Sequence, residues 1–201
     1  MIKSKKELQF FIMADRIMNF GEQFSVKQRV QYLLGMYPVL KWLTIMRKSS
    51  YYDGLQGRCL ISAYYNYRFQ RLSMKLGFSI GKDVFGYGLV IPHWGTIVVG
   101  PNNKIGNYAV LHTSTCISDN GKIIGDGLYL ATGAKVTSKV VLGSNVTIGA
   151  NSVVNKSFPD GNIMIAGSPS KYIKDAEAWY DRDGLKRRVE IIEALKKKML
   201  L

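Results

Sequence analysis

Apolar side chains recur at every sixth position through the middle of the chain. After the first four positions comes one extra residue, and the same spacing then resumes for six more. These positions are Val99, Ile105, Leu111, Ile117, Ile124, Leu130, Val136, Leu142, Ile148 and Val154. Neither an α-helix nor a β-strand produces a spacing of six. The pattern predicts a solenoid in which three short strands make one triangular coil of about 18 residues, with the aliphatic side chains inside.

The segments on either side of this repeat follow helical spacing. Before it, apolar residues share one helical face, and breaks near residues 21, 35–38 and 53–54 predict three or so helices. That face carries Phe10, Met13, Ala14, Ile17 and Phe20. After Ala176, a second apolar stripe predicts an amphipathic helix that ends in three lysines. That stripe consists of Leu185, Val189, Ile192, Leu195 and Met199. We therefore predict an N-terminal helical region over 1–76, a β-helix domain over 77–174 and a C-terminal amphipathic helix over 175–201.

The charge of the chain lies mainly at its two ends. Among 201 residues, 28 are basic and 14 acidic, so the formal net charge is +14. Residues 1–75 carry 13 bases and 4 acids, and residues 171–201 carry 9 bases and 6 acids. These basic faces are interpreted either as solvated surface or as surfaces attracted to an anionic membrane. No stretch approaches the roughly 20 apolar residues of a membrane span. We expect a cytoplasmic protein, peripheral at the inner membrane if the second interpretation holds, with no nucleic-acid partner.

Two motifs resemble a known family. The segment GYGLVIPHWGTIVVG begins at Gly86, and AGSPSKYI begins at Ala166. Together with the repeat, they resemble the hexapeptide-repeat, left-handed β-helix acyltransferases, in their serine acetyltransferase-like branch, over about residues 78–174. The resemblance implies a mainly β fold, a left-handed parallel β-helix, with acetyl-CoA as co-substrate and a homotrimer whose active sites lie at the subunit junctions. The chain has only two histidines, which argues against the three-histidine zinc site of some relatives, so we expect no metal.

His93 is the candidate catalytic residue. It lies six residues before Val99, where the repeat predicts an aliphatic side chain, and it matches the catalytic histidine of the branch that the chain resembles. A lone histidine is more often structural, but the broken repeat and the match favour a general base. An imidazole with a pKa near 6.5 is suited to removing a proton from a hydroxyl group. Acetyl-CoA is already an activated thioester, so no enzyme nucleophile is required.

Three further residues are predicted to bind the acceptor. His112 follows Leu111, and 111 − 18 = 93, so an ideal coil places it on the face of His93, although an outward surface position is the alternative. Trp94 either forms a wall of a sugar pocket or packs at an interface. Asp119 and Asp83 are the two nearest carboxylates considered for orienting His93, and a corner or loop role is equally open for both.

The resemblance assigns the donor site to the late coils. Small residues at the corners of neighbouring coils would leave a groove for the pantetheine arm, and lysines would neutralise CoA phosphates. Residue-by-residue transfer assigns this cofactor-binding role to Thr132, Ala150, Asn155, Lys156, Ala166, Gly167 and Lys171. Thr132 and Ala150 are 18 residues apart, which predicts that they stack on successive coils.

The predicted function is acetyl-CoA-dependent O-acetylation of a sugar hydroxyl in bacterial surface polysaccharide biosynthesis. An alternative is serine O-acetyltransferase activity for cysteine biosynthesis. The branch places aspartates where this chain has Phe78 and Pro92, and it has a long histidine-containing loop where this chain has residues 118–122. Both departures count against serine as the acceptor. A non-catalytic trimeric β-helix scaffold is the alternative from another class.

Overall fold

The computed structural model describes residues 2–55 and 59–201, and the hexapeptide repeat forms a three-sided parallel β-helix. The first face contains strands β1 Phe78–Ile80, β2 Ile97–Val99, β5 Thr115–Ile117, β8 Lys135–Val136 and β11 Val153–Val154. The second contains β3 Lys104–Ile105, β6 Ile123–Ile124 and β9 Val141–Leu142. The third contains β4 Val110–Leu111, β7 Tyr129–Leu130, β10 Val146–Ile148 and β12 Ile163–Ala166, and it ends with β13 Lys171–Asp175, which pairs antiparallel to β12.

The side chains predicted to lie inside the prism do so. All ten are at most 4% exposed, and they form one continuous core with residues from the helices. The inward aliphatic residue of each coil lies next to its equivalent in the following coil. Ile117 pairs with Val136, and Val136 pairs with Val154. The solenoid therefore buries its core one coil upon another, as a chain of period six requires.

The first coil is longer than the repeat predicts, and this changes the position of His93. Val90 pairs with Val110, an offset of 20 residues instead of 18. Strand β2 turns both Ile97 and Val99 inward, so the inward position six residues earlier belongs to Ile91, which is 2% exposed. The prediction that His93 replaces an inward aliphatic residue is therefore wrong. His93 is exposed, in the loop that joins Ile91 to Ile97.

Within residues 2–55 and 59–76, four helices precede the prism, where the sequence predicted three or so. They are α1 Lys5–Phe20, α2 Val26–Leu33, α3 Pro38–Asp53 and α4 Cys59–Leu76. Ser4 caps α1 by accepting from Glu7 N, and Ser25 and Gln28 form a reciprocal capping box on α2. Each of the three predicted breaks separates a pair of neighbouring helices, and the short α2 lies between the first two breaks.

The C-terminal segment is two helices and not one that starts after Ala176. Helix α5 Trp179–Arg182 is short, Gly184 follows with φ of +70°, and α6 Lys186–Lys198 begins beyond it. Trp179 is buried and donates from Nε1 to Tyr108 O at 2.7 Å, which fixes α5 on the prism. The apolar stripe of α6 packs on the cluster of Phe10, Tyr87 and Tyr108, so the protein itself covers it.

A buried ion pair joins the N-terminal helices to the first coil. Arg47 of α3 donates from Nε to Asp15 Oδ2 of α1 at 2.8 Å, and both side chains are at most 2% exposed. Arg47 also donates to Phe85 O and Gly86 O, at 2.9 and 2.6 Å, and Asp15 Oδ1 accepts from Leu89 N at 3.0 Å. The two charges are therefore satisfied by each other and by the backbone of residues 85–89.

Replacing Arg47 tests how much this pair stabilises the fold. Arg47→Ala should lower the free energy of unfolding by about 3–5 kcal/mol, because Asp15 would remain buried without its partner. Lys186→Ala is the control, since Lys186 is 69% exposed and its ammonium lies 3.9 Å from the partly exposed Asp181, so the loss of this long contact should cost at most about 1 kcal/mol. Urea unfolding of both variants measures the difference, and equal losses would contradict this role of Arg47.

Candidate active site

Most of the predicted site residues lie along one edge of the prism. We call this the His93 edge: it is where the chain passes from the third face to the first, at residues 92–96, 112–114, 131–134 and 149–152. It continues at residues 166–170, where the chain turns from the end of β12 back into β13. Backbone hydrogen bonds connect its successive corners, from Ser114 N to Thr96 O at 2.7 Å and from Asn151 N to Thr132 O at 2.9 Å. Seven predicted residues share it, namely His93, Trp94, His112, Thr132, Ala150, Ala166 and Gly167.

The loop that carries His93 is held at Gly95, two residues after the histidine. Gly95 N donates to Leu76 O at 3.0 Å, at the last residue of α4. Gly95 has φ of +149°, and a Cβ on it would lie 3.1 Å from the Thr113 side chain of the next corner. Just before this point, His93 and Trp94 are exposed, Trp94 to 63%. An imidazole and an aromatic surface are therefore available to a ligand.

His112 is half-buried beside His93. Its ring centroid lies 5.1 Å from that of Tyr129 on the next coil. Burial lowers the pKa of His112, the charge of His93 lowers it further, and the charge of Asp183 raises it. The two histidines are thus close enough for their charges to interact. The sequence prediction placed the two histidines on one face, but its register is wrong, because Ile91 and not His93 lies one coil before Leu111.

Residues of the C-terminal segment, which the sequence analysis did not identify, complete this corner. Arg182 lies over the Tyr129 ring, with its guanidinium carbon 4.7 Å from the centroid, and it pairs with Asp183 at 2.9 Å. Asp183 is the carboxylate whose charge acts on His112. The sequence register could have found Tyr129, because it lies one coil after the segment that carries His112. No local signal marks Arg182 or Asp183, because a long-range return of the chain brings them here.

The two carboxylates considered as partners of His93 have other contacts. Asp83 accepts a hydrogen bond from Ser50 Oγ. Asp119 accepts from Asn102 N at 2.8 Å and from Asn102 Nδ2 at 2.9 Å. Asp119 lies on what we call the Asp119 edge, where the chain passes from the first face to the second, at residues 100–103, 118–121 and 155–158. It therefore does not share the edge of His93 within one chain.

The remaining predicted donor residues are also away from the His93 edge. Asn155 and Lys156 are exposed on the Asp119 edge, and the Lys156 ammonium lies 5.3 Å from the centroid of the Phe158 ring. Lys171 is exposed at the start of β13. The structure thus divides the predicted donor site between two edges and the terminal strand.

The loop at the Asp119 edge is closed by a buried lysine. Lys122 is fully buried, and its ammonium donates to Ser118 O, Ser118 Oγ and Asn120 Oδ1 at 2.6, 2.9 and 2.5 Å. Burial lowers the pKa of Lys122. Residues 118–122 therefore fold on themselves instead of extending as a long loop.

Residues 2–55 and 59–201 contain no group of three or more His, Cys, Asp or Glu side chains that would hold a metal ion. None of their helices is long and apolar enough to cross a membrane.

Comparison with known proteins identifies relatives of this chain. A serine acetyltransferase of Staphylococcus aureus is 33% identical over 113 residues, which cover 53% of this chain and 50% of that protein. The serine acetyltransferase of Staphylococcus xylosus is 31% identical over the same coverage. Over about half of its length, the chain is therefore similar to serine acetyltransferases. It spans about half the length of these curated relatives, and no protein-family model matches it.

Solved serine acetyltransferases share the fold. The soybean apoenzyme superposes with a TM-score of 0.65 at 20% identity, over 83% of this chain and 69% of that one. The enzyme from Brucella abortus gives 0.60 at 22% identity, over 85% and 69%. A serine acetyltransferase in complex with CoA gives 0.64 at 19% identity, over 84% and 71%. The expected left-handed β-helix, with helices at both ends, is confirmed.

The charges around His112 can be tested by titration. Its pKa should lie below 6.5, so His112 should be neutral at pH 7. His93→Asn should raise this pKa by removing a neighbouring positive charge, and Asp183→Asn should lower it by removing a negative one. NMR titration of the imidazole C–H signals measures both shifts, with the exposed Asp160→Asn as control. A His112 midpoint that is the same in all variants would contradict the arrangement.

Proposed function

We propose that this chain is an acetyl-CoA-dependent O-acetyltransferase with His93 as its general base. The observation that carries the proposal is the composition of the His93 edge. An exposed histidine and its half-buried neighbour lie on the same edge as the exposed small residues Ala150 and Gly167 of the late coils. The general base, the acceptor contacts and the donor track can therefore all lie along the His93 edge. The serine acetyltransferase relatives, including one with CoA bound, support the same reaction class.

The proposed reaction needs one base and no covalent enzyme intermediate. A nitrogen of His93 accepts the proton of the acceptor hydroxyl while the hydroxyl oxygen attacks the thioester carbonyl. The carbon–sulfur bond then breaks, and His93 returns the proton to the CoA sulfur. His112, kept neutral by its lowered pKa, can hydrogen-bond the acceptor without placing a second positive charge beside protonated His93. Trp94 offers its face to the acceptor.

The pantetheine arm is assigned to the track over Thr132 and Ala150. Asn151 N donates to Thr132 O, so these corners lie on successive coils with their small exposed side chains in line. Gly167 continues the track on the following coil, where Val153 N donates to its carbonyl at 2.9 Å. Lys171 lies just beyond and could neutralise a CoA phosphate.

A homotrimer would combine the two edges into one site. Closed three-fold symmetry would set the Asp119 edge of one subunit against the His93 edge of the next, and bring Asp119, Asn155 and Lys156 to the groove. Exposed apolar side chains on the flat faces support such packing, including Ile123 at 56% and Val141 at 45% exposure. We expect the assembly in the cytoplasm and peripheral at the inner membrane.

Two acceptors are candidates, and different observations favour them. The names of the relatives favour serine, and this is the better supported of the two. The local structure favours a sugar hydroxyl, because the segment closed by Lys122 contains no histidine. The positions before His93 that hold aspartates in the resembled branch are occupied here by Phe78 and Pro92.

Release of CoA in the presence of each acceptor decides between them. With acetyl-CoA, the protein should release CoA well above its hydrolysis rate when either L-serine or a hexose derivative is added. Release with L-serine alone would assign serine O-acetylation, and release with the sugar alone would assign the polysaccharide pathway. No acceptor-dependent release with amino-acid or sugar hydroxyls would contradict the enzyme and favour the scaffold.

Removing His93 should abolish most of the transfer. His93→Ala should lower kcat by about 10²- to 10⁴-fold, the usual contribution of a general base, with little change in the KM for acetyl-CoA, because the late coils hold the donor. Steady-state kinetics with the acceptor found above measure both constants.

Ala150→Trp is the matched comparison, because a large side chain on the track should raise the KM for acetyl-CoA instead. Light scattering of the same samples should show trimers in every case. A trimeric His93→Ala protein with near-native turnover would contradict the mechanism.

A further inference from the structure

Helices α2 and α4 present an uncovered surface of apolar and basic side chains. Between Val26 and Lys82 the sequence contains ten basic residues and a single acid, Asp53. The apolar stripes of α1 and α6 pack inside the protein. Apolar residues of α2 and α4 instead face solvent, so packing within the chain does not explain them.

Helix α4 has one packed face and one exposed face. On the packed face, Ser73 Oγ accepts from Trp42 Nε1 at 2.7 Å, and the Phe69 ring lies 5.6 Å from that of Trp42. On the exposed face, apolar and aromatic side chains alternate with cations at helical spacing. These exposed residues are Leu60 at 84%, Tyr64 at 51%, Tyr67 at 56% and Met74 at 77%. Such a large apolar exposure marks a docking surface more often than bare solvent-facing protein.

A cationic cleft adjoins this face. It has a volume of about 350 Å³ and lies between the end of α2, α3 and α4, with Lys41, Arg68, Arg71 and Lys75 in its lining. Within residues 2–55 and 59–201, no carboxylate is paired with any of these four cations. Arg68 and Arg71 donate instead to the hydroxyls of Tyr64 and Tyr67, at 2.6 and 2.8 Å. The cleft therefore offers unneutralised positive charge to an anion.

Exposed aliphatic side chains stand at the rim of the cleft. Leu34, which lines the cleft, is 74% exposed. Its neighbours Leu33 and Met36 are 78% and 59% exposed, at the end of α2 and in the turn that follows it. A site that binds a free, hydrated anion does not require exposed aliphatic side chains. The combination of apolar tips, tyrosines and long cationic side chains is suited to the boundary between lipid headgroups and acyl chains.

We propose that the α2–α4 surface docks on an anionic lipid bilayer, with lipid phosphate in the cleft of Lys41, Arg68, Arg71 and Lys75. The aliphatic rim would enter the headgroup layer, and the cations would neutralise phosphates. A second copy of the chain fits less well, because a two-fold contact would place this basic surface against itself. The C-terminal helix is not the docking element, since its apolar stripe is buried against the prism.

Docking by this surface would place the His93 loop close to the membrane. Helix α4 ends at Leu76, whose carbonyl accepts from Gly95 N in that loop. An acceptor carried at the bilayer surface would then approach the loop from the docked helix. This consequence rests on the proposed function, but the docking itself does not.

Vesicle flotation tests the proposal. The wild-type protein should float with vesicles of phosphatidylcholine mixed with phosphatidylglycerol and remain unbound with phosphatidylcholine alone. R68Q/R71Q should bind about 30-fold more weakly, because each cation near an anionic leaflet contributes about fivefold. K197Q/K198Q is the matched control: it has the same net charge as R68Q/R71Q, and both its cations lie on α6 away from the cleft. It should bind like the wild type.

Two further variants separate the parts of the proposal. L33S/L34S should weaken the binding that persists at high salt, where surface charge attraction is screened. His93→Ala should bind vesicles normally, which separates docking from catalysis. Circular dichroism should show that all variants are folded, since the altered side chains are on the surface.

Three outcomes would overturn the proposal. The first is absence of wild-type flotation with the mixed vesicles. The second is equal weakening in R68Q/R71Q and K197Q/K198Q, which would mean attraction by net charge alone. The third is calorimetric binding of inorganic phosphate in the cleft without vesicle binding, which would assign the site to a free anion.

Discussion

The ion pair of Asp15 and Arg47 is the interaction on which the position of the site depends. Two buried charges would be costly to remove from water unless each had several partners. Here the guanidinium binds the carboxylate and two backbone carbonyls, and the carboxylate also accepts from Leu89 N. The partners come from α1, α3 and residues 85–89 of the prism. The pair therefore fixes two helices against the irregular first coil that leads into the His93 loop.

Above that coil, stacking converts spacing in the sequence into proximity in space. Corner residues that are 17–20 positions apart become neighbours, because parallel strands carry each corner directly over the one before. The exposed corners then form continuous edges, and a small side chain repeated at one edge becomes a track. In the proposed homotrimer, a groove between two prisms would enclose this edge. The helices contribute at the ends: α4 holds the loop of His93, and the segment after α5 brings Asp183 towards His112.

The sequence predicted the prism well because its signal is local and repeated. Each inward residue follows from the one before, and an error at one coil does not spread to the next. The same local counting failed at His93, where both Ile97 and Val99 of β2 turn inward and the coil is 20 residues long. Asp119, one of the two carboxylates considered as a partner of His93, lies on a different edge of the same chain. Arg182 and Asp183 could not be found at all, because their position depends on how Trp179 anchors α5 on Tyr108. The covered stripe of α6 and the bare face of α4 look alike in sequence, and only packing distinguishes them.

The central claim is that donor and base meet on the His93 edge, and a crystal structure of the protein with CoA tests it most directly. The pantetheine arm should follow the corners of Ala150 and Thr132, with its sulfur within about 3–4 Å of an imidazole nitrogen of His93, the range of a hydrogen bond to sulfur. The adenine end should lie towards β13 and Lys171. CoA bound along another edge, with its sulfur out of reach of His93, would contradict the account.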